Sequence, residues 1–85
     1  MEIRYTPEAE ADIMFWKKTG NVAIQRKITN LLDSIIDTPT TGIGKPEQLK
    51  YQLSGCWSRR INDEHRMVYR IFDDRIELIS LRFHY

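Results

Sequence analysis

Between Trp57 and Phe72 the chain reads Trp-Ser-Arg-Arg-Ile-Asn-Asp-Glu-His-Arg-Met-Val-Tyr-Arg-Ile-Phe, and it ends on Arg-Phe-His-Tyr. These stretches, with Lys45, Glu47 and Lys50 ahead of them, hold the side chains that could do chemistry. Arg60 and Arg66 supply guanidinium groups, His84 an imidazole and Glu47 a carboxylate. RNA cleavage without a metal needs those types. A base takes the proton of the ribose 2′-hydroxyl, which then attacks the neighbouring phosphorus. An acid protonates the departing 5′-oxygen, and fixed positive charge holds the phosphoryl oxygens as their negative charge grows. A histidine side chain titrates near neutrality. A carboxylate beside His84, including the terminal one on Tyr85, favours its protonated form and suits it to be an acid. A glutamate is ionised at neutral pH but is a weak base.

Each of these residues also has a plain reading. An imidazole next to the chain end is usually idle, Glu47 is a loop charge by composition, and strand arginines are usually solvated. His65, beside Glu64 at a turn, reads as a turn or helix-packing residue. Cys56 reads as a small buried apolar group.

For the site to form, strands must bring these residues together. Strand side chains alternate between faces. Met67, Tyr69 and Ile71 therefore share one face, as do Trp57 and Ile61. Arg66, Val68 and Arg70 take the other, with Ser58, Arg60 and Asn62. A polar turn at Asn62-Asp63-Glu64 joins the two arms. One side of this hairpin can be buried, and the other is a basic, partly wet platform. If neighbouring strands pair, Arg60, Arg66 and His84 lie on that open side. Glu47 and Lys50 are three apart, so a regular strand sends them to opposite faces.

The remaining elements follow from punctuation and period. Glu2 to Tyr5 alternates as a short first strand. Thr6-Pro7-Glu8 is a helix start, with a hydroxyl cap, proline at the first position and acid in the first turn. That helix runs to about Lys18, with Ala9, Ile13 and Trp16 on one face, and Gly20 stops it. Asn21 caps a second helix whose Ile24, Ile28, Leu31, Leu32 and Ile35 recur at helical spacing to about Asp37. Thr38-Pro39 ends it. Residues 40–46 form a loop by their glycines and proline. A strand from Leu49 to Leu53, a turn at Ser54-Gly55, the hairpin, a turn at Asp73-Asp74 and a last strand from Arg75 to Tyr85 complete the chain. In that last strand Ile79, Leu81 and Phe83 share a face opposite Ser80, Arg82 and His84. Trp57, Tyr69 and Phe83 read as core residues. The fold class is α+β, with two N-terminal helices on one face of a mostly antiparallel four- to five-stranded sheet.

Composition narrows the function classes. The 85 residues are 41% hydrophobic and 29% charged with a formal charge of +1, which predicts one soluble domain over residues 1–85 and excludes a histone-like binder. The charge is uneven, at −1 for residues 1–38 and +2 for residues 39–85. A single cysteine excludes an internal disulfide, and two histidines, His65 and His84, offer no set with metal-ligand spacing. No metal or cofactor is expected. No apolar run suits a membrane span and the N-terminus does not read as a secretion signal, so the expected location is cytoplasmic.

The run Gly44-Lys-Pro-Glu-Gln-Leu-Lys-Tyr-Gln-Leu-Ser-Gly-Cys-Trp-Ser-Arg-Arg-Ile-Asn-Asp-Glu-His-Arg-Met-Val-Tyr, with the terminal Arg-Phe-His-Tyr, resembles the Txe/YoeB family. Its members are toxins of type II toxin–antitoxin pairs within the RelE/ParE superfamily. The resemblance spans essentially the whole chain. It implies a fold like that of small microbial ribonucleases and a ribosome-dependent endoribonuclease that cuts mRNA in the A site and so inhibits translation. By the same resemblance, Glu47 matches the general base, Arg66 the transition-state phosphate stabiliser and His84 the general acid. Tyr85 matches a terminal tyrosine that places substrate, and Lys50 and Arg60 match phosphate contacts. The implied partners are a cognate antitoxin, the ribosome with its mRNA, and a second copy in a homodimer or a toxin–antitoxin hetero-oligomer. The departures are mild. Tyr51 and Cys56 stand where relatives often have histidine and a bulkier aromatic residue. The sister activity on this fold, ParE-like inhibition of DNA gyrase, needs no cleavage residues and is the alternative reading. A non-catalytic RNA-binding or antitoxin-anchoring module is a third.

Overall fold

Local chemistry starts both helices where the caps predict. In the computed structural model, which describes residues 2–82, the Thr6 hydroxyl accepts from Ala9 N at 3.1 Å at the head of α1 (Pro7–Thr19). The same hydroxyl donates to Ile79 O at 2.9 Å, so one side chain caps the helix and ties it to the last strand. Gly20 ends α1 in the left-handed conformation, which glycine adopts without a Cβ clash. Asn21 Oδ1 accepts from Ile24 N at 3.1 Å and opens α2 (Val22–Asp37). Among the described residues no helix is long and apolar enough to cross a membrane.

The strands are β1 (Glu2–Tyr5), β2 (Glu47–Gln48), β3 (Cys56–Arg60), β4 (Arg66–Ile71) and β5 (Arg75–Ser80). They form one five-stranded sheet in the order β1-β5-β4-β3-β2. The last four strands are an antiparallel meander, and β1 adds to β5 in parallel. The helices cover one face. Ala9, Trp16, Ile28, Leu31 and Ile35 pack there against Met67, Tyr69, Ile76, Leu78 and Leu81, with Trp57 and Ile71 partly buried beside them. His65 packs in the same layer, its ring edge-to-face on Trp16 at 4.8 Å.

Three expectations are corrected. The strand expected over Leu49 to Leu53 is instead the two residues Glu47–Gln48, followed by a 3₁₀ turn over Tyr51–Leu53. Pro46 delimits it on one side, since proline carries no N–H for a ladder; on the other, Tyr51 takes a left-handed backbone that cannot continue a strand. The last strand ends at Ser80 rather than running on. Its alternation also breaks, because Val68 pairs with Ser80 while Tyr69 pairs with Leu78, leaving Ile79 as the extra residue of a bulge. The bulge inverts the phase, so Leu78 and Leu81 enter the core and Ser80 turns to the opposite face. Finally, the middle of the second face is not wet. Cys56, Ser58, Val68 and Ser80 are all buried there, short side chains set among the longer Glu47, Arg66 and Arg70.

Candidate active site

The register builds the site. Arg60 lies directly opposite Arg66 across β3 and β4, one step from the pair Ser58 and Val68. Glu47 lies directly opposite Ser58 on the other side of β3. Opposite residues share a face, so Glu47, Ser58, Arg60 and Arg66 all project on the side away from the helices. The Arg66 guanidinium, half-buried, donates from Nη1 to Glu47 Oε2 at 3.4 Å. Glu47, Leu49, Ser58 and Arg66 line a cleft of about 230 Å³. The Ser58 hydroxyl, buried in this lining, finds no hydrogen-bond partner among the described residues, which leaves it available to a group that fills the cleft.

Two guanidinium groups facing each other across a strand pair repel. Here Glu47 offsets Arg66, and Asp63 Oδ1 stands 3.8 Å from Arg60 Nη1 at the exposed end. A phosphate inserted between the arginines relieves that repulsion and accepts charge-assisted hydrogen bonds from planar forks. A carboxylate placed 3.4 Å from one of those arginines can take a proton from a group bound to them.

How Glu47 reaches this position depends on the loop before it. Arg59 alternates with Arg60 and so points to the helix side, where it is completely buried. It meets no carboxylate among the described residues. Nε donates to Tyr69 Oη at 3.1 Å, Nη1 to Ser34 Oγ at 2.7 Å and Ile43 O at 3.1 Å, and Nη2 to Thr38 O and Thr41 O, both at 2.7 Å. All five N–H bonds are used on neutral acceptors, several of them loop carbonyls. The loop closes tightly enough that a Cβ on Gly44, at φ +81, would collide with Leu31. Arg60 N then donates to Gly44 O at 2.7 Å, and Pro46 leads straight into β2. Tyr69 passes the strap onward, donating to Pro39 O at 2.7 Å. Burial raises the Tyr69 phenol above the usual tyrosine value, against a lowering by Arg59.

On the same helix-covered side of the sheet, α1 holds the segment after β5. Asp12 Oδ2 accepts from Leu81 N at 2.9 Å, and Trp16 Nε1 donates to Leu81 O at 3.0 Å, both buried. The Arg82 guanidinium stacks 3.6 Å from the Phe15 ring centre.

Of the residues singled out by sequence, Glu47, Arg60 and Arg66 come together. Lys50 is exposed, standing just before the 3₁₀ turn. His84, Tyr85 and Phe83 lie outside the described residues. Sequence reasoning passed over Ser58, Arg59 and Asp12. The signals were present: Ser58 alternates in phase with Arg60, Arg59 falls on the apolar phase of Trp57 and Ile61, and Asp12 sits inside the helical stripe of Ala9 and Trp16. Among the described residues, no group of three or more His, Cys, Asp or Glu gathers where it could hold a metal ion.

Comparison with known proteins supplies the family. Residues 5–85 match the family described as the YoeB-like toxin of bacterial type II toxin–antitoxin systems. The chain is 46% identical over 83 residues to the toxin YoeB of Mycobacterium bovis, covering 98% of this chain and 96% of that protein. It superposes on a YoeB/ParE toxin from Agrobacterium tumefaciens with a TM-score of 0.95, at 42% identity and over the full length of both chains. A chain of the heterotetrameric YoeB–YefM toxin–antitoxin complex from Staphylococcus aureus matches with a TM-score of 0.89 and 41% identity, covering 100% of this chain and 98% of that one. A sheet that sets a carboxylate beside paired arginines thus has full-length relatives in one group, and the chain belongs to the YoeB-like toxins of bacterial type II toxin–antitoxin systems.

Proposed function

We propose that this toxin is an endoribonuclease acting on mRNA in the ribosomal A site. The observation that carries the reading is the contact of Glu47 with Arg66 at 3.4 Å on the face that also presents Arg60. In this scheme Arg66 exchanges Glu47 for the scissile phosphate, and the freed carboxylate takes the 2′-hydroxyl proton. The 2′-oxygen attacks phosphorus and forms a 2′,3′-cyclic phosphate. The phosphorus–O5′ bond breaks, and His84 delivers the proton that makes the leaving group a 5′-hydroxyl. Arg60 and Lys50 hold flanking phosphates and Tyr85 places the substrate. No step requires a metal. The ribosome orients the message, which accounts for so modest a charge on the protein, since positioning supplies much of such a rate.

The antitoxin is a separate protein that covers the Arg60 and Arg66 face; support comes from the likeness to a toxin solved in complex with YefM. Primer extension on mRNA from cells expressing each variant tests the chemistry. Glu47→Ala and His84→Ala should slow cleavage by roughly 10²–10⁴, and Arg66→Ala by about 10²–10³. Ribosome-phased breaks that persist at wild-type intensity in all three variants would refute the assignment.

A further inference from the structure

We infer that Tyr51 is a stacking platform for a nucleobase beside the scissile phosphate, a subsite that rests on the nuclease reading above. Its side chain is 92% exposed, more than any other large hydrophobic residue in the described chain. Its backbone is left-handed, at φ 60, a conformation that a bulky L-residue adopts only at an energetic cost. Among the described residues only one other non-glycine shares it, Lys45 at φ 53. The two bracket β2, so the strained backbone of this protein is concentrated on either side of Glu47. Strain of this kind gathers at binding sites, where the surrounding structure holds it in place.

The ring is presented by a fixed turn. Leu49 N donates to Cys56 O at 2.9 Å, Leu53 N to Lys50 O at 3.2 Å and Ser54 N to Tyr51 O at 3.0 Å. Tyr51 therefore follows the cleft-lining Leu49 by two residues, with the exposed Lys50 ammonium between them. An aromatic ring left this exposed among the described residues, two positions beyond the cleft-lining Leu49 and next to the exposed Lys50, suits single-stranded RNA. Every base has a face to stack, and the neighbouring charge meets the backbone.

The test is single-turnover cleavage of mRNA on programmed ribosomes by purified Tyr51→Phe, Tyr51→Ala and Tyr51→Gly, with thermal melting of each. Stacking predicts that the Ala and Gly variants lose roughly 5- to 150-fold in cleavage, while Phe stays within about two-fold. Glycine accepts the left-handed backbone, so Tyr51→Gly should melt roughly 4–8 °C above Tyr51→Ala and still cleave as poorly. A purely structural role would make cleavage follow melting. Wild-type cleavage by the Ala and Gly variants overturns the inference, as does an equal loss in Tyr51→Phe. Unchanged cleavage with weakened antitoxin binding overturns it too and marks a protein contact instead. Glu47→Ala and His84→Ala run alongside. If they are inactive while Tyr51→Ala cuts normally, only the subsite fails; if they cut normally, the nuclease reading itself fails.

Discussion

The strand that carries Glu47 and the segment that leads to His84 are anchored by unlike means. β2 is two residues long and sits at a sheet edge, so its own ladder holds it weakly. Its place comes from a loop strapped by the buried Arg59, whose charge is met by carbonyls and hydroxyls. One of those carbonyls belongs to Thr38, the C-cap of α2, where the partial negative charge of the helix end favours a cation. After β5 the arrangement is local. Leu81 is gripped at both its N–H and its carbonyl by two side chains one turn apart on α1. Pairing with β3 sets the register of β2, while buried bonds between side chain and backbone in the helix layer hold the loop before it and the segment after β5.

The strap should be the costlier one to cut. Arg59→Ala strips donors from five acceptors at once, and we expect a loss of about 4 kcal/mol in urea unfolding. Arg59→Lys keeps the charge but offers three donors without the planar fork, so it should recover less than half of that loss. A loss below about 1 kcal/mol for Arg59→Ala would show that the loop holds itself.

The α1 grip comes next. Asp12→Ala leaves the Leu81 N–H buried and unpaired, at a cost of about 1–3 kcal/mol. Asp12→Asn keeps an acceptor oxygen and should recover most of it. Equal melting points for the two variants would break the contrast, because charge rather than the tether would then matter.

The smallest effect belongs to Tyr69, the link between strap and sheet. Tyr69→Phe should cost about 1–2 kcal/mol for its hydrogen bonds. It should also change the alkaline limb. Burial holds the folded phenol above its ordinary value of 10.0. Below that pH both states are protonated and stability is constant. Above it the unfolded chain ionises first, and stability falls as pH rises until the folded phenol follows. Alkaline unfolding of Tyr69→Phe should lack that fall.

Much of the scaffold was legible because local rules and global packing agree there. Thr6, Gly20 and Asn21 cap the helices as their side chains and backbone freedom require. The alternation around Asn62-Asp63-Glu64 puts Arg60 opposite Arg66. What could not be read depends on contacts distant in sequence. The Ile79 bulge falls where β5 meets both β4 and the Thr6 cap. Arg59 could be assigned to the apolar phase, yet nothing local says that acceptors from residues 34–43 and Tyr69 will converge on it.

Taken alone, then, the string of residues determined the helix ends, the hairpin phase and the kinship of the chain, all properties of short-range sterics, period and motif. Only the tertiary structure decided that Glu47 stands 3.4 Å from Arg66. That contact needs a two-residue edge strand to be held from outside its own ladder as well, and the bonds that do so join groups far apart along the chain.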